Sequence, residues 1–309
     1  MFATEKSFTL PSFAKINLSL RIQGKRDDNF HELCTVFQTV SLKDELTFRE
    51  SGEINLTCSD KRIPTDDKNL IVRAALKLRE KYRIEKGAEI YLEKNIPAPG
   101  GLGGGSSNAA VALIGLSKLW KIKCDAAELA QIGKTLGADV PFFLCGGTAL
   151  GTGRGDEISL LDDLEEKNLL IATPSISVST AAAFARINVP RLTNKRSKSI
   201  LQICREQAKT VGFRQASLTN DFEETIFRIE PEIERVKKTL LSFEGASAAL
   251  LSGSGASVFA VFENAKLAQK AFDVLQNETD WRVFAVETVS RLHYRALLNL
   301  EADLQGESF

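Results

Sequence analysis

The sequence predicts an α+β protein with two domains, of which the first covers residues 1–160 and the second residues 161–309. A chain of 309 residues is long for a single hydrophobic core. In the first half, segments with strand periodicity precede segments of helical character. In the second half the order is a strand, several helices, two strands, a helix and a strand, which is typical of a split βαβ, ferredoxin-like domain with inserted helices.

The predicted strands are segments with period-two alternation, or short apolar runs. Ile16, Leu18, Leu20 and Ile22 alternate with other residues near the N-terminus. The predicted strands are 8–22, two or three within 36–57, 88–94, a strand and tight turn within 146–156, 169–172, 248–251, 257–262 and 281–287.

The predicted helices begin at polar residues that can accept a hydrogen bond from the first helical turn. Asn69 precedes the first of them, and Asp125 precedes the third. The predicted helices are 70–82, 109–120, 126–137, one starting near Ser179, one starting near Thr219, 231–243, 265–276 and a short terminal helix from Arg291.

Composition and charge exclude several classes of protein. The hydrophobic content of 43% and charged content of 26% are those of an ordinary globular chain. Forty basic residues balance forty acidic ones, so no overall field attracts nucleic acid or membrane. The five cysteines form no Cys-x-x-Cys pair, which predicts reduced thiols and neither disulfides nor zinc. The N-terminus lacks an apolar signal core and no stretch approaches membrane-spanning length, so we expect a cytoplasmic protein.

The most informative stretch runs from Ile96 to Ala110, where five glycines fall in six positions ahead of two serines and an apolar run. Such a cluster persists where the backbone needs positive φ or must touch a ligand. The first N–H groups of a helix lack internal partners and lie at the positive end of its dipole, so this loop predicts a phosphate site. A flexible linker is the alternative, but linkers do not usually run into an apolar helix.

The loop matches neither of the two common phosphate motifs. No lysine follows Gly105, as a Walker loop requires. Ser106 stands where the dinucleotide fingerprint has its third glycine. Ser106 and Ser107 suit two roles, which are capping the helix and offering a hydroxyl to phosphate or Mg²⁺.

From Pro97 the chain reads Pro-Ala-Pro-Gly-Gly-Leu-Gly-Gly-Gly-Ser-Ser-Asn-Ala-Ala, which resembles the ATP loop of the GHMP kinases. The resemblance covers nearly the whole chain. It implies a two-domain GHMP kinase fold, in which a ribosomal-protein-S5-like α/β domain precedes the ferredoxin-like domain. It also implies ATP as co-substrate with Mg²⁺, and the Ser106 hydroxyl as a candidate metal ligand. The implied ATP-binding residues are Pro97, Ala98, Pro99, Gly100, Gly101, Leu102, Gly103, Gly104, Gly105, Ser106 and Ser107.

Two further segments narrow the resemblance to the GHMP kinases that act on 4-diphosphocytidyl-2-C-methyl-D-erythritol. One is Ala-Lys-Ile-Asn-Leu around Lys15, where a strand lysine would ordinarily point to solvent. The other is Gly-Ala-Asp-Val-Pro around Asp139, where the aspartate could simply cap a helix with proline in its first turn. The resemblance implies instead that Asp139 is the catalytic base, that Lys15 arranges it, and that Asn17 lies beside the substrate.

The resemblance also implies a cytidine site. The polar turn before the second strand ends in Asn29-Phe30-His31, where family members usually have Gly-Tyr-His and the Tyr-His pair binds cytosine. A surface turn is the alternative. Phe30 can still stack on a base, Asn29 tolerates left-handed backbone, and neutral His31 offers one donor and one acceptor. Phe184 resembles a second stacking ring, with a core aromatic as the alternative. Gly253, Ser254 and Gly255 resemble a motif close to the phosphates and the reacting hydroxyl, with a hairpin turn as the alternative.

The implied activity is ATP-dependent phosphorylation of the substrate's 2-hydroxyl, in the non-mevalonate isoprenoid pathway. We expect a monomer or weak homodimer. Two rivals stay open, which are another GHMP kinase, of mevalonate or homoserine type, and a catalytically inactive nucleotide-binding protein. Asn17, the Phe30-His31 pair and Asp139 argue against the first rival, and the presence of all the expected polar groups argues against the second.

Overall fold

The computed structural model describes residues 7–187 and 202–300, which form two β-sheets with helices packed on them. This agrees with the predicted α+β class. The strands are β1 (Phe8–Lys25), β2 (His31–Ser51), β3 (Ile54–Cys58), β4 (Gly87–Glu93), β5 (Thr148–Thr152), β6 (Glu157–Leu160), β7 (Leu169–Thr173), β8 (Thr219–Asn220), β9 (Ala246–Leu251), β10 (Val258–Phe262) and β11 (Arg282–Val286).

Within the described residues, the helices include the eight predicted ones, of which two begin four or five residues away from the predicted position, and two further short helices. They are α1 (Leu70–Tyr82), α2 (Gly104–Leu119), α3 (Ala126–Leu136), α4 (Val140–Cys145), α5 (Thr180–Arg186), α6 (202–208), α7 (Glu223–Ile229), α8 (Pro231–Ser242), α9 (Ala265–Glu278) and α10 (Arg291–Leu297), with a single 3₁₀ turn at Gln215–Ser217. No helix in the described ranges is long and apolar enough to span a membrane. All five cysteines fall within the described residues and are free thiols.

The first sheet is built around the long antiparallel pair β1 and β2. Its order is β3-β4-β2-β1-β8, with β5 paired to β2 and β6 paired to β5. Residues 12–20 of β1 are buried on both faces, because one face packs on helices and the other on the second sheet. Ile16 belongs to the face that packs on the second sheet. Lys15 and Asn17 point to the opposite face, since side chains alternate along a strand.

Helix α2 follows the glycine loop and is buried on all sides. Its residues from Ser107 to Ser117 are all buried, and a helix without a polar face lies inside a core. A Cβ atom on Gly115 would lie 2.5 Å from the ring of Phe48. Glycine at that position therefore lets α2 approach β2 closely, which fixes the helix and the loop that precedes it.

The second sheet has the order β11-β7-β10-β9, and each neighbouring pair is antiparallel. In chain order these are the fourth, first, third and second strands of the sheet. This is the split βαβ arrangement, so the predicted ferredoxin-like topology is confirmed.

The C-terminal helix α10 returns to the first half of the chain. Tyr294 is fully buried, and its hydroxyl donates a hydrogen bond to the Phe143 carbonyl at the end of α4. Its ring lies 5.6 Å from that of Phe13. The sequence left the use of this tail open, and the structure places it in the core beneath α4. Because α10 and β8 both join the first half, the boundary at residue 160 stays a prediction.

Candidate active site

A cavity of about 1190 Å³ lies where the two halves of the chain meet. Its walls come from segments that are far apart in sequence, namely Lys15 and Asn17 of β1, residues 29–31, the glycine loop, residues 134–139, helix α5 and residues 253–254. A pocket for one drug-sized ligand occupies roughly 300–1,000 Å³. The cavity is therefore somewhat larger than a pocket of that kind.

The glycine loop is held by hydrogen bonds from both halves of the chain. The backbone N–H of Lys15 donates to the Leu102 carbonyl at 3.0 Å, and the backbone N–H of Ser257 donates to the Gly100 carbonyl at 3.1 Å. The Ser252 hydroxyl donates to the Gly101 carbonyl at 3.0 Å. These bonds fix the loop before a ligand arrives.

Two glycines of the loop have backbone that only glycine adopts readily. Gly101 and Gly103 both have φ of +71°. A Cβ atom on Gly101 would lie 2.0 Å from the Ser252 carbonyl oxygen, and one on Gly103 would lie 2.7 Å from the Phe143 ring. Gly103 is the N-cap of α2 and has no side chain to cap it. The first intrahelical bond comes from the Ser107 N–H to the Gly103 carbonyl, so the preceding N–H groups are available to an anion.

The two serines of the loop have different surroundings. Ser106 lies in the wall of the cavity. Ser107 is fully buried, and its Oγ accepts a hydrogen bond from the Ser12 hydroxyl at 2.8 Å. Successive helical residues point about 100° apart, which turns Ser107 into the core. The assignment of Ser107 to the ATP-binding residues stays a prediction, and the structure directs its hydroxyl into the core rather than into the cavity.

Gly253 and Ser254 line the cavity, but Gly255 does not. A Cβ atom on Gly255 would lie 3.2 Å from the Leu251 side chain, because the turn directs this residue toward the core of the second sheet. The contact of Gly255 with substrate therefore stays a prediction, whereas Gly253 and Ser254 lie in the cavity wall. Ser254 is held by the Thr180 hydroxyl of α5, with the two oxygens 2.8 Å apart.

Lys15 and Asp139 meet at the cavity, as the resemblance implied. The Lys15 ammonium is buried and donates to Asn17 Oδ1 at 2.6 Å and to the Gly101 carbonyl at 2.8 Å. It lies 3.8 Å from Asp139 Oδ2. Lys15 therefore connects the glycine loop, Asn17 and the carboxylate.

Asp139 stands at the N-cap of α4, but its side chain makes no capping hydrogen bond. About a third of that side chain is exposed (33%), on the wall of the cavity. The carboxylate is thus free to meet a ligand, which is more than a simple cap provides. Burial lowers the pKa of Lys15 below its usual value, while the negative charge of Asp139 opposes that shift.

The aromatic end of the cavity is lined by four ring side chains, namely Phe30, His31, Phe184 and Phe222. His31 and Phe184 are stacked, with ring centroids 4.9 Å apart and planes 16° apart. Phe184 also meets Phe222 edge-on at 4.8 Å. Phe30 is exposed, and Asn29 before it has φ of 66°, as expected for a residue that tolerates left-handed backbone. Burial and the charge of Lys25 lower the pKa of His31, which favours the neutral ring.

Sequence reasoning missed several residues that line or brace the cavity. Lys25, Lys134 and Arg154 are in its wall. With Lys15 they make four cationic side chains among the described lining residues, against a single carboxylate, that of Asp139. The wall of the cavity therefore suits anionic ligands. Asn220 holds the 251–253 turn, because its amide donates to the Leu251 and Gly253 carbonyls at 2.8 Å. Little in the sequence indicated these residues, because Arg154 lies in a segment whose glycines were already explained by the predicted strand and tight turn.

Two family models match the chain, described as the GHMP kinases N terminal domain over residues 69–147 and the GHMP kinases C terminal over residues 190–279. Together they span more than half of the sequence, and this chain belongs to the GHMP kinase family. Members of this family use ATP as their co-substrate.

Within that family, a curated relative from Syntrophus aciditrophicus (strain SB) carries the name 4-diphosphocytidyl-2-C-methyl-D-erythritol kinase. It is 39% identical over 277 residues, which are 89% of this chain and 97% of the relative. A crystal structure of 4-(cytidine 5'-diphospho)-2C-methyl-D-erythritol kinase has a TM-score of 0.73 and 30% identity, covering 91% of this chain and 99% of that one. Homoserine kinase from Cytophaga hutchinsonii ATCC 33406 has a TM-score of 0.68 and 22% identity over 94% and 97% of the two chains, a likeness of fold alone.

Proposed function

We propose that this chain transfers the γ-phosphoryl group of ATP to the 2-hydroxyl of 4-diphosphocytidyl-2-C-methyl-D-erythritol, which yields the 2-phosphate and ADP. One observation carries the proposal. A single cavity has an anion-binding glycine loop in one wall, an aromatic cluster in another, and the Lys15–Asp139 pair in the same lining. The names of the relatives supply the substrate, and with it a role in the non-mevalonate isoprenoid pathway.

The ATP phosphates bind to the N–H groups at the start of α2, from Gly104 to Ser106. Mg²⁺ would bind together with ATP, because proteins usually hold this ion through one or two side chains and the phosphates of the substrate. The described residues hold no cluster of three or more His, Cys, Asp or Glu side chains, which fits an ion carried by the nucleotide. The Ser106 hydroxyl, in the cavity wall, would be its protein ligand. When bound, the ion neutralises charge on the transferred group.

The chemical step needs positioning and charge neutralisation more than covalent help. The substrate oxygen forms a bond to the γ-phosphorus while the bond from that phosphorus to the β,γ-bridging oxygen breaks, and ADP leaves. Asp139 accepts the hydroxyl proton. Lys15 pairs with Asp139, and it also donates hydrogen bonds to the Gly101 carbonyl and to Asn17. Through these contacts Lys15 fixes the positions of the glycine loop and Asn17 relative to the Asp139 carboxylate.

The cytidine moiety occupies the aromatic end. Phe30 and Phe184 offer ring faces for stacking, and a neutral His31 can read the donor and acceptor pattern of a base edge. Mevalonate and homoserine have no base to fill this end, which distinguishes the proposal from the other GHMP kinases.

The test is ADP release with a panel of acceptors at equal concentration, namely 4-diphosphocytidyl-2-C-methyl-D-erythritol, mevalonate, homoserine and galactose. We expect ADP release with the cytidine compound alone. Turnover of mevalonate or homoserine in its place would assign the chain to another branch of the family. ATP binding without turnover of any acceptor would identify an inactive nucleotide-binding protein.

A further inference from the structure

Phe30 is the most exposed side chain of the aromatic end. Its side chain is 53% exposed, and a phenylalanine ring has no hydroxyl through which a hydrogen bond could fix it. One contact stands out, because the Arg154 guanidinium lies over the Phe30 ring, 4.8 Å from its centroid. Both residues line the cavity.

Arg154 is itself firmly placed. It lies in the turn between β5 and β6, where its Nη2 donates to Asp156 Oδ2 at 3.0 Å and its backbone N–H donates to Asp156 Oδ1 at 3.2 Å. The same turn is bonded to the start of β2. The Leu33 N–H donates to the Gly153 carbonyl at 2.7 Å, and the Gly153 N–H donates to Glu32 Oε1 at 3.0 Å. Arg154 is therefore fixed relative to Phe30 and His31, which immediately precede these β2 residues.

We propose that Arg154 is a positioning residue that holds Phe30 as a stacking platform for the cytosine of the substrate, an inference that rests on the proposed function. The guanidinium covers one face of the ring and leaves the other face to the base. A cation over an aromatic face is attracted by the ring quadrupole. An exposed ring that is ordered beforehand loses less conformational freedom when the base stacks on it.

Two other roles for Arg154 make different predictions. The guanidinium has five N–H donors, and among the described residues its side-chain hydrogen bond is to Asp156. A direct contact with the substrate diphosphate would use the remaining donors and would not depend on Phe30. A purely structural role in the turn would disturb folding and both substrates alike.

The experiment is a double-mutant cycle with Arg154→Met, Phe30→Leu and the double variant. Arg62→Met is the matched control, because Arg62 also pairs with an aspartate two residues away, Asp60, at 2.7 Å, and is not among the cavity-lining residues. Steady-state kinetics with both substrates, the melting temperature, and calorimetric binding of cytidine 5'-diphosphate are measured for each variant.

We expect Arg154→Met to raise the KM for the cytidine substrate and the Kd for cytidine 5'-diphosphate by about 3- to 10-fold. The kcat, the KM for ATP and the melting temperature stay at wild-type values, and Arg62→Met changes none of these quantities. In the Phe30→Leu background the Arg154→Met change has no further effect, since Arg154 acts through the ring.

An Arg154→Met effect of full size in the Phe30→Leu background would overturn the proposal in favour of direct diphosphate binding. A joint loss of kcat, ATP binding and thermal stability would overturn it in favour of a structural turn. The binding arm separates this inference from the proposed function. A wild-type protein that binds cytidine 5'-diphosphate but does not turn over the cytidine substrate would contradict the proposed function, while the double-mutant cycle could still be measured through nucleotide binding. Failure of the wild-type protein to bind cytidine 5'-diphosphate would contradict the inference itself.

Discussion

Replacing Asp139 by asparagine removes the charge proposed to accept the substrate proton and keeps the shape of the side chain. The carboxylate is 33% exposed and lies 3.8 Å from the Lys15 ammonium, beyond hydrogen-bonding distance. It also makes no capping bond to α4. The fold therefore depends little on this group, and we expect a melting temperature close to that of the wild type.

The expected kinetic effect follows from the role of the carboxylate. General-base assistance contributes roughly 10²–10⁴-fold, so Asp139→Asn lowers kcat by about that factor. We expect binding of ATP to change little, because the proposed phosphate contacts are made by the loop amides and not by Asp139. Asp125→Asn is the matched control, since Asp125 caps the neighbouring helix α3, and asparagine caps a helix about as well as aspartate does.

Lys15→Met completes the cycle, but its effect has two parts. Lys15 supports Asp139, and it also donates to the Asn17 side chain and the Gly101 carbonyl. In the Asp139→Asn background we expect Lys15→Met to lower kcat by much less than it does alone, because members of one catalytic unit are not additive. What remains of its effect reports the two hydrogen bonds to the loop and Asn17.

The assay is steady-state kinetics on both single variants and the double variant, with ATP affinity measured separately by calorimetry. A near-normal kcat for Asp139→Asn would refute the reasoning, because it would leave Asp139 as no more than the residue before a helix. Full multiplicativity of the two changes would refute the catalytic unit even if each single loss were large.

Three further expectations follow from other parts of the structure. Gly105→Val should raise the Kd for ATP about tenfold or more by blocking loop amides. The fold should survive, since a Cβ atom at this position meets only Leu70, at 3.9 Å. Gly52→Val is the control, because a Cβ atom there has nothing within 4 Å, and unchanged ATP binding by Gly105→Val would count against the phosphate loop. Asp139→Asn should lower the pKa of Lys15 further in an NMR titration, because burial lowers this pKa and Asp139 opposes the shift. Between the pKa of Lys15 in the folded state and that in the unfolded state, the folded state binds fewer protons, so the contribution of Lys15 to stability rises with pH there. An unchanged Lys15 titration in the variant would show that the two charges do not interact. Tyr294→Phe should lower the free energy of unfolding by about 1–3 kcal/mol in urea denaturation, because it leaves the buried Phe143 carbonyl without its donor; a loss close to zero would mean that α10 is not a part of the core.

Local signals predicted helices α1 and α9 well, whereas the helix expected near Thr219 begins at Glu223, after β8. Helix α1 runs from Leu70 to Tyr82, as predicted, and the Asn69 side chain accepts the Ile71 N–H that the capping pattern implied. Helix α9 begins at the predicted Ala265 and ends two residues later than predicted. Caps and apolar faces are properties of neighbouring residues, so the sequence alone reveals them.

The β1–β2 pair was less predictable. The sequence indicated a strand ending near Ile22 and two or three strands within 36–57, whereas β1 continues to Lys25 and β2 is continuous from His31 to Ser51. The pairing shifts register between Phe13 and Ala14 and again after Asn17. Such irregularities break the period-two pattern, and tertiary pairing rather than local preference sets the length of these strands.

The site shows the same division. Composition alone would have left Lys15 in solvent and Asp139 as a cap, and only resemblance indicated that the two lie together. The loop motif did not tell Ser106 from Ser107, because which serine faces the cavity depends on the rotation of α2 within the core. Arg154 carried no signal of its own, since its contact with Phe30 joins segments over 120 residues apart. A cytoplasmic location and a monomeric or weakly dimeric state stay predictions.

The central claim is that the chain phosphorylates the 2-hydroxyl of the cytidine substrate, and the position of the new phosphate tests it most directly. The measurement is ¹³C and ³¹P NMR of the product formed by the wild-type protein from ATP and substrate labelled with ¹³C at carbon 2. We expect one new phosphate ester whose phosphorus couples to the labelled carbon, formed in step with ADP and at a greatly reduced rate by Asp139→Asn. An ester on another carbon, or ADP formed without any phosphorylated product, would contradict the account.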